Sequence, residues 1–303
     1  MFIIKYKKIF IWLSVALVLL AVSSIAYFGL SLGIDFKGGA VMEVNYPSGR
    51  PEVSILENEV SGLDIGPIFQ PAGENGYLVK TRDLTDVERQ SLFNALGLSG
   101  TVSIEEISFN SVGPSVGTEL KRKAIIQIIL VCFGIVLFIA YAFRKVSKPV
   151  SSWKYGIIAV CTLLHDVLIP LGIFAAIASF KNLEVDTLLI VSILTILGLS
   201  VSDTIVVFDR IRENLKDNLD KNKEEDFKET VGKSISQTFT RSINTSLTVI
   251  LALAALAVFG PESTRYFAIM LTAGMFFGTY SSIFLASPLL VAWEQRRARK
   301  LKK

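Results

Sequence analysis

The apolar residues of this chain are gathered into long runs separated by charged segments, a pattern typical of a multi-pass membrane protein. Six runs are long enough to cross about 30 Å of hydrocarbon as helices. They are Ile9–Leu30, Ala124–Phe143, Tyr155–Phe180, Leu188–Phe208, Ile243–Phe259 and Phe267–Trp293. The first run, of about 22 residues, exceeds the roughly 7 to 15 apolar residues of a secretory signal. We therefore expect it to remain as an uncleaved first span.

Basic residues lie at alternate ends of these runs, and this asymmetry predicts the topology. They precede the first span, join the second to the third and the fourth to the fifth, and form the tail. The residues concerned are Lys5, Lys7, Lys8, Arg144, Lys145, Lys148, Lys154, the basic residues of Arg210–Arg241 and those of Arg296–Lys303. The opposite short loops carry only Lys181 and Arg265. Both termini are therefore expected in the cytoplasm, with the long segment after the first span outside.

Composition argues against several other classes of protein. The 303 residues are 51% hydrophobic, with a net charge of +4. The basic residues mark membrane boundaries and form no surface interleaved with aromatic side chains, so nucleic-acid binding is not expected. Cys132 and Cys161 both lie in apolar runs, which indicates neither a disulfide framework nor a metal site. No Gly-x-x-x-x-Gly-Lys-[Ser/Thr] loop is present, so ATP use would belong to a partner. No cofactor is expected.

The segment Ser31–Arg122 has the composition of a soluble domain. Apolar and polar residues alternate over Ala40–Tyr46 and again over Gly76–Thr81, as in half-buried strands. Two helices at 3.6-residue spacing are expected, the second opened by a capping box of Thr85 and Glu88. The sequence therefore predicts a small α+β domain of ferredoxin-like type.

A further strand is expected to begin near Thr101. Its apolar phase slips by one residue around Glu105 and Glu106, which predicts a β-bulge. The glycines and proline of 110–119 then predict a turn or hinge leading into the second span. The chain is thus divided into 1–30, with the first span; 31–122, the outer domain; and 123–303, the remaining spans with a cytoplasmic loop at 209–241.

The connector Glu213–Lys233 mixes charges of both signs and leaves two alternatives open. It is either a solvated helical connector or an interfacial helix that lies on the membrane surface. The second alternative would use Phe227, Val231 and Ile235, which are spaced four residues apart and share a helical face.

Asp203 lies in the fourth apolar run, where lipid does not favour a carboxylate. A charge at the bilayer centre costs roughly 2.5 to 3.5 kcal/mol on insertion scales, so such residues normally face a bundle interior or a wet path. Ser200 and Asp203 share a helical face, and Ser202 lies on an adjoining face. Asp203 is therefore either a titrating or ion-binding group, or a carboxylate that a neighbouring hydroxyl or arginine satisfies to fix packing.

Two more groups of polar residues enter the membrane. His165 and Asp166 lie near the middle of the third run, and they predict either a hydrogen-bonded packing pair or a proton relay. The fifth run opens with a polar stretch in which Arg241 is the natural partner for Asp203, because an unpaired buried charge is costly. Arg241 is alternatively a plain topogenic charge. Hydrogen-bond support is expected from Ser200, Ser202, Thr204, Asn244 and Thr245. Gly274, Gly278 and Ser282 form a small-residue stripe for helix packing.

Three motifs carry a resemblance to a known family. They are Gly33-Ile-Asp35-Phe-Lys-Gly38-Gly39, Val112-Gly113-Pro114-Ser-Val-Gly117-Thr-Glu119-Leu and the stretch from Gly198 through Asp203 to Asn214. The chain resembles the SecD/SecF family, and within it the smaller member of the pair. The family often has Gly-Tyr-Ser and Asn-Asp where this chain has Gly198-Leu199-Ser200 and Ser202-Asp203. The carboxylate is kept, so the difference concerns tuning more than mechanism.

The resemblance implies a fold, a function and a set of partners. The spans would be one half of a bundle like that of resistance-nodulation-division (RND) transporters, in the bacterial cytoplasmic membrane. With SecD, the chain would use the proton-motive force to help preproteins emerge from SecYEG and SecA, possible further partners being YajC and YidC. Asp203 would carry the proton, and Arg241 would pair with it and release it. We expect protonation to shift spans four and five and to swing the outer domain through the hinge, which contains Gly113, Pro114 and Gly117.

Three rival functions are kept beside this one. An intramembrane aspartyl protease would use Asp166 and Asp203, but Ser200-Val-Ser-Asp203 lacks the Gly-x-Gly-Asp pattern of such enzymes. A scaffold that only stabilises SecD is a stronger alternative. A subunit of a small-molecule exporter is disfavoured by the small outer domain.

Overall fold

The computed structural model describes residues 2–144 and 150–301. Four lysines that the sequence assigns to basic cytoplasmic segments lie outside the described residues: Lys145, Lys148, Lys302 and Lys303. The chain divides into two compact units. We call them the helical unit, formed by Met1–Leu30, Ile126–Leu183 and Thr187–Lys303, and the sheet unit, formed by Ser31–Ile125 and Glu184–Asp186.

Six long helical stretches lie in the described residues, each apolar and long enough to cross a membrane, so the prediction of six spans is confirmed. A short helix α1, Phe2–Lys5, precedes them. The first five are α2 (Lys7–Phe28), α6 (Pro114–Ala142), α7 (Ser152–Lys181), α8 (Thr187–Asp220) and α9 (Phe227–Phe259). The sixth consists of α10 (Glu262–Ser281), a π-helical turn (Ser282–Ala286) and α11 (Ser287–Leu301).

The spans differ in how much of their surface the helical unit covers. In their most apolar stretches, 56% of residues are buried in α7 and 61% in the sixth span, against 11% in each of α2, α6 and α9. Helices α7, α8 and α10 therefore form the interior, and the other three present apolar faces outward, as expected where lipid tails are the solvent.

Glycines bring the interior helices close together. A Cβ atom added at Gly274 of α10 would lie 2.3 Å from Ile196 Cγ1 of α8, and one at Gly278 would lie 3.0 Å from Ser200. The predicted packing role of this small-residue stripe is confirmed. At the contact between α2 and α7, an added Cβ at Gly172 would lie 2.6 Å from Ala21 Cα.

The connector between the fourth and fifth spans is a continuation of both helices. Helix α8 runs on to Asp220 and α9 begins at Phe227, so the two form a helical hairpin. Val231 and Ile235 are 0% and 3% exposed and belong to the same apolar cluster as Ile211. The interfacial-helix alternative is therefore wrong, because the apolar face that it needs is buried within the protein.

The sheet unit contains four antiparallel strands in the spatial order β2-β3-β1-β4. The strands are β1 (Gly39–Asn45), β2 (Ile68–Ala72), β3 (Gly76–Thr81) and β4 (Glu105–Val112). The helices are α3 (Ile34–Lys37), α4 (Val53–Val60) and α5 (Asp86–Leu96). The βαββαβ order from β1 to β4 with this sheet order confirms the ferredoxin-like α+β prediction.

The predicted alternation of β1 is confirmed, since Met42 and Val44 are almost fully buried and share one apolar core with Leu56 of α4 and Leu92 of α5. The β-bulge is confirmed one residue further on. Glu43 of β1 lies opposite Ser108, whereas Val44 lies opposite Glu106, which leaves the intervening residue of β4 unpaired.

Two strand predictions differ from the structure. The last strand begins at Glu105 and not near Thr101, because residues 98–100 form a short 3₁₀ turn and the Thr101 and Val102 N–H groups donate back to the Leu98 and Gly97 carbonyls. Strand β2 was not predicted from the sequence. That strand contains Pro71, which lacks a backbone N–H, and it pairs only with β3 at the edge of the sheet.

The capping box at the start of α5 is confirmed. The Glu88 backbone N–H donates to Thr85 Oγ1, and the Thr85 N–H donates to Glu88 Oε2 at 2.8 Å. The Arg82 guanidinium, followed by the hydrogen bonds from Thr85, lowers the pKa of Glu88 to about 2. Because this folded pKa lies below the unfolded one, the interaction stabilises the fold above about pH 4.5 and is lost as pH falls toward 2.

We predict that Thr85→Ala weakens the start of α5 by about 1 kcal/mol, since it removes the N-cap acceptor. Amide hydrogen exchange in the first turn of α5, measured on the full-length protein, should become faster. Ser91→Ala is the control, because Ser91 Oγ lies on the same helix and donates to the Val87 carbonyl within it. Equal acceleration by the two substitutions would contradict the assignment.

Candidate functional site

Asp203 is buried in α8, with 9% of its surface exposed, and its hydrogen-bond partner lies on α9. Ser246 Oγ donates to Asp203 Oδ2 at 2.8 Å, and Ser246 itself is 1% exposed. The carboxylate therefore faces a helix interface, as the sequence analysis expected. Its neighbour in the described structure is a hydroxyl and not a cation.

Arg241 does not take the place predicted for it. Its side chain is exposed, whereas Ser242 and Ser246 of α9 form the buried face. Arg241 and Ser246 are five residues apart, which turns them about 140° from each other around the helix axis. The structure thus corrects the expected contact between Arg241 and Asp203. A role for Arg241 in another conformation stays a prediction.

The residues predicted to support Asp203 fall into a buried group and an exposed group, according to the helix face on which each lies. Ser200 and Thr204 are buried at 2% and 0% exposure. Ser202, Asn244 and Thr245 are exposed. Ser246 was not predicted from the sequence, although its spacing of four from Ser242 at the polar start of the fifth run was a usable signal.

A second buried carboxylate, Asp166 of α7, is fully enclosed. Its Oδ2 accepts hydrogen bonds from Ser200 Oγ of α8 at 2.5 Å and from Ser281 Oγ of α10 at 2.7 Å. Its Oδ1 lies 2.8 Å from Nδ1 of His165, the preceding residue. The predicted polar pair is thus present, and it extends into a network across three helices that the sequence did not show.

The backbone is irregular beside this network. Pro170 lies four residues after Asp166 and has no N–H to bond the Asp166 carbonyl. The π-helical turn of the sixth span begins directly after Ser281. Thr204 Oγ1 of α8 lies 2.8 Å from Ser282 Oγ at the start of that turn. Such turns are frequent at functional sites, because they interrupt the α-helical hydrogen-bond register.

The His165 ring lies between the network and the aromatic residues of the sixth span. It stacks on Tyr280 with ring centroids 6.1 Å apart, and its Nε2 is buried without a hydrogen-bond partner among the described residues. The other ring nitrogen faces Asp166. The contact is compatible with both alternatives that the sequence left open, a proton relay and a hydrogen-bonded packing pair.

Helix α8 connects the two carboxylates. Ser200 binds Asp166 on one side, and Asp203, three residues later, binds Ser246 on another. Each carboxylate accepts hydrogen bonds from its own serine hydroxyls. Among the described residues, no hydrogen bond joins one carboxylate to the other. This arrangement does not support an aspartyl-protease dyad, in which two carboxylates share a proton.

The glycine motifs pack against each other inside the sheet unit. Gly38 has φ +81°, and a Cβ there would lie 2.8 Å from Pro114 Cα. A Cβ at Gly117 would lie 3.0 Å from the Gly38 nitrogen. Gly39, at φ +137°, would bring a Cβ within 2.7 Å of the Thr81 carbonyl oxygen. These positions therefore require glycine for close backbone approach.

The motif prediction also placed Asp35 here and a hinge at 110–119. Asp35 lies in α3, one turn before the glycine pair. Strand β4 ends at Val112 and α6 begins at Pro114, so Gly113 alone separates strand from helix. The hinge stays a prediction, and Gly113 is the one residue of it that lies between the strand and the helix.

Comparisons with known proteins agree with this architecture. The family description "Protein export membrane protein SecD/SecF, C-terminal" matches residues 94–296, and the "SecD/SecF GG Motif" matches residues 24–46. A protein translocase subunit SecF from Thermobaculum terrenum is 38% identical, covering 97% of this chain and 94% of the relative. One from Anaerolinea thermophila is 35% identical, covering 95% and 92%.

The crystal structure of SecDF from Thermus thermophilus, a translocon-associated membrane protein, superposes with a TM-score of 0.80 at 30% identity. The match covers 96% of this chain and 38% of that longer protein. The six spans, the small domain after the first of them and the glycine motif define a multi-pass membrane protein of the protein-export class. Within that class, the chain belongs to the SecD/SecF family, as a SecF subunit of the Sec protein translocase.

We predict that Ser246→Ala destabilises the helical unit by about 1 to 3 kcal/mol, because it leaves a buried carboxylate without its donor. Ser242→Ala is the matched control. That serine lies one turn earlier on the same buried face, and its hydroxyl has no hydrogen-bond partner among the described residues. Thermal unfolding in detergent should separate the two variants. Similar losses in both would show that Ser246 contributes packing only.

Proposed function

We propose that this chain acts with SecD to couple the proton-motive force to preprotein translocation and release on the extracytoplasmic side. It would lie in the bacterial cytoplasmic membrane, with both termini inside and the sheet unit outside. SecYEG with SecA, and also YajC and YidC, are the proposed further partners. The chain would itself catalyse no reaction, and ATP hydrolysis would belong to the partner ATPase.

The proposal rests on the burial of Asp203 in a membrane helix and on its hydrogen-bond partner. A carboxylate buried in a membrane helix is a candidate functional group, because the cost of placing a charge there makes such residues rare. Here its described partner is one serine hydroxyl on the neighbouring span. A hydroxyl can donate to an ionised carboxylate or accept from a protonated one, so Asp203 can change charge while it keeps this partner.

The energy available is adequate for a conformational step. One proton crossing 100 mV releases about 2.3 kcal/mol. Two conformers of a switching protein commonly differ by a few kcal/mol. One or two protons per cycle are therefore enough to favour one conformer and then the other.

Arg241 would approach Asp203 in a second conformer, which differs from the described one. In the described conformer it is exposed on α9, turned away from the face that carries Ser246. A rotation of α9, together with the reach of the long arginine side chain, would bring the guanidinium toward the carboxylate and favour release of the proton. Spans four and five would thus move against each other during the cycle, and the outer domain would swing at the proposed hinge.

The Asp166 and His165 pair is proposed as a second member of the relay. Ser200 connects it to the helix that carries Asp203, and Ser281 connects it to the π-helical turn. The same hydrogen bonds also favour the second candidate function, a scaffold that stabilises SecD. A carboxylate with three partners fixes helix packing well, whether or not it titrates.

We predict that Asp203→Asn abolishes the proton-motive-force-dependent part of preprotein translocation. The measurement uses membrane vesicles that contain SecD and either the wild-type chain or the variant, after equal assembly of the complex has been confirmed. The amide keeps the size and hydrogen bonding of the side chain but cannot carry the proton.

Asp209→Asn is the matched control. Asp209 lies on the same helix, has a side chain 55% exposed and pairs with Arg212 at 3.3 Å. It should leave stimulation unchanged. Full stimulation with Asp203→Asn would favour the scaffold function and place the proton path in SecD.

A further inference from the structure

The segment between α7 and α8 belongs to the sheet unit and not to the helical unit. Glu184–Asp186 groups with Ser31–Ile125, although Leu183 before it and Thr187 after it belong to the helical unit. We call Glu184–Asp186 the strap. Its two ends continue into the two helices that carry Asp166 and Asp203.

Backbone hydrogen bonds hold the strap to the start of the sheet unit. The Val185 N–H donates to the Ser31 carbonyl at 2.8 Å, and the Gly33 N–H donates to the Val185 carbonyl at 2.8 Å. Together they form a parallel bridge between Leu32 and Val185. Val185 is 6% exposed, so these bonds are shielded from water.

Gly33 allows this close approach. A Cβ atom at Gly33 would lie 3.0 Å from the Val185 carbonyl oxygen and 3.5 Å from Glu184 Cβ. Contacts this short leave little room for a side chain between the two backbones. Gly33, the first glycine of the family motif, is therefore required by its close contact with the strap. This contact is separate from those of Gly38 and Gly39.

An ion pair adds a second attachment, to the interior of the sheet. Lys80 Nζ of β3 lies 2.9 Å from Glu184 Oε2. The two side chains are 14% and 31% exposed, so the pair is better shielded than a surface salt bridge. Strand β3 lies between β2 and β1, which makes Lys80 part of an inner strand and not of an edge strand.

We propose that the strap is a coupling element which transmits movement of α7 and α8 to the sheet unit through Ser31–Gly33 and Lys80. This rests on the proposed function, because it assumes that protonation moves these helices. The strap is three residues long and bonded in its middle, so a displacement of either helix end must pull on the sheet unit or break the bonds. The proposed hinge at Gly113 lies elsewhere in the chain and would allow the unit to respond.

Charge reversal tests the attachment. Lys80→Glu and Glu184→Lys each place like charges together, and the double variant restores an ion pair in the opposite sense. We expect each single variant to accelerate amide exchange at Gly33 and Val185 by roughly tenfold, and the double variant to recover most of the protection. The experiment uses the full-length chain in complex with SecD.

The same complexes are then assayed for proton-motive-force-dependent translocation in vesicles. Each single variant should lose at least half of the stimulation, and the double variant should regain it. The matched control is the ion pair of Arg89 with Glu106, 2.5 Å apart within the sheet unit, reversed in the same three combinations. Its reversal should leave stimulation unchanged.

A second variant tests transmission with the attachment intact. Four glycines inserted at each end of the strap, between Leu183 and Glu184 and between Asp186 and Thr187, slacken its connections to both helices without changing its ion pair. We expect normal exchange protection at Gly33 and reduced stimulation. This variant tests the coupling role of the strap even if the charge-reversal variants do not assemble with SecD.

The outcomes separate the two proposals. If the wild-type complex shows no stimulation by the proton-motive force, the proposed function fails and the coupling role of the strap fails with it. If the wild type is stimulated, unchanged stimulation in the single variants and in the glycine insertion would overturn the strap alone. Faster exchange with full stimulation would likewise overturn it, since the strap would then be an anchor that transmits nothing.

Discussion

The arrangement of the helical unit depends on the cost of placing carboxylates in an apolar medium. An ionised side chain that is buried without partners is far more costly than any single packing contact can offset, so its neighbours must supply hydrogen bonds. This chain supplies them from serines. Asp166 receives hydroxyls from α8 and α10, and Asp203 receives one from α9. Each carboxylate thereby fixes which helix faces meet.

Short donors such as serine impose a second constraint, which is close approach of the helix axes. The hydroxyl of serine extends little beyond Cβ, so helices that bond through it must pack with small residues between them. Gly278 permits this for α10 against α8, because an added Cβ would lie 3.0 Å from Ser200. The glycine stripe and the serine network are therefore parts of one arrangement. A larger residue at Gly278 would push Ser281 away from Asp166 as well as crowding Ser200.

The sequence predicted nearly all of the fold, because long apolar runs and capping boxes such as that of Thr85 are local signals. Strand β2 was missed since Pro71 argues locally against a strand, and only its place at the sheet edge makes it acceptable. The buried carboxylates were also identified, because any charge in an apolar run is conspicuous. Their partners on other helices were not, although the adjacent His165 was correctly paired with Asp166. Whether Arg241 or Ser246 faces Asp203 depends on the rotation of α9, which packing across several helices decides.

The difference between the two carboxylates bears on which of them can drive movement. Asp166 is fully enclosed and held by groups on its own helix and two others, so a change in its charge would disturb three helices at once. Asp203 has 9% of its surface exposed and one described partner. An ionised Asp203 therefore receives fewer hydrogen bonds than an ionised Asp166. We expect the protein to stabilise that charge by moving another group or a helix toward it. On our proposal, this makes Asp203 the site where a proton changes the conformation, and Asp166 a member of the relay that also holds α7, α8 and α10 together.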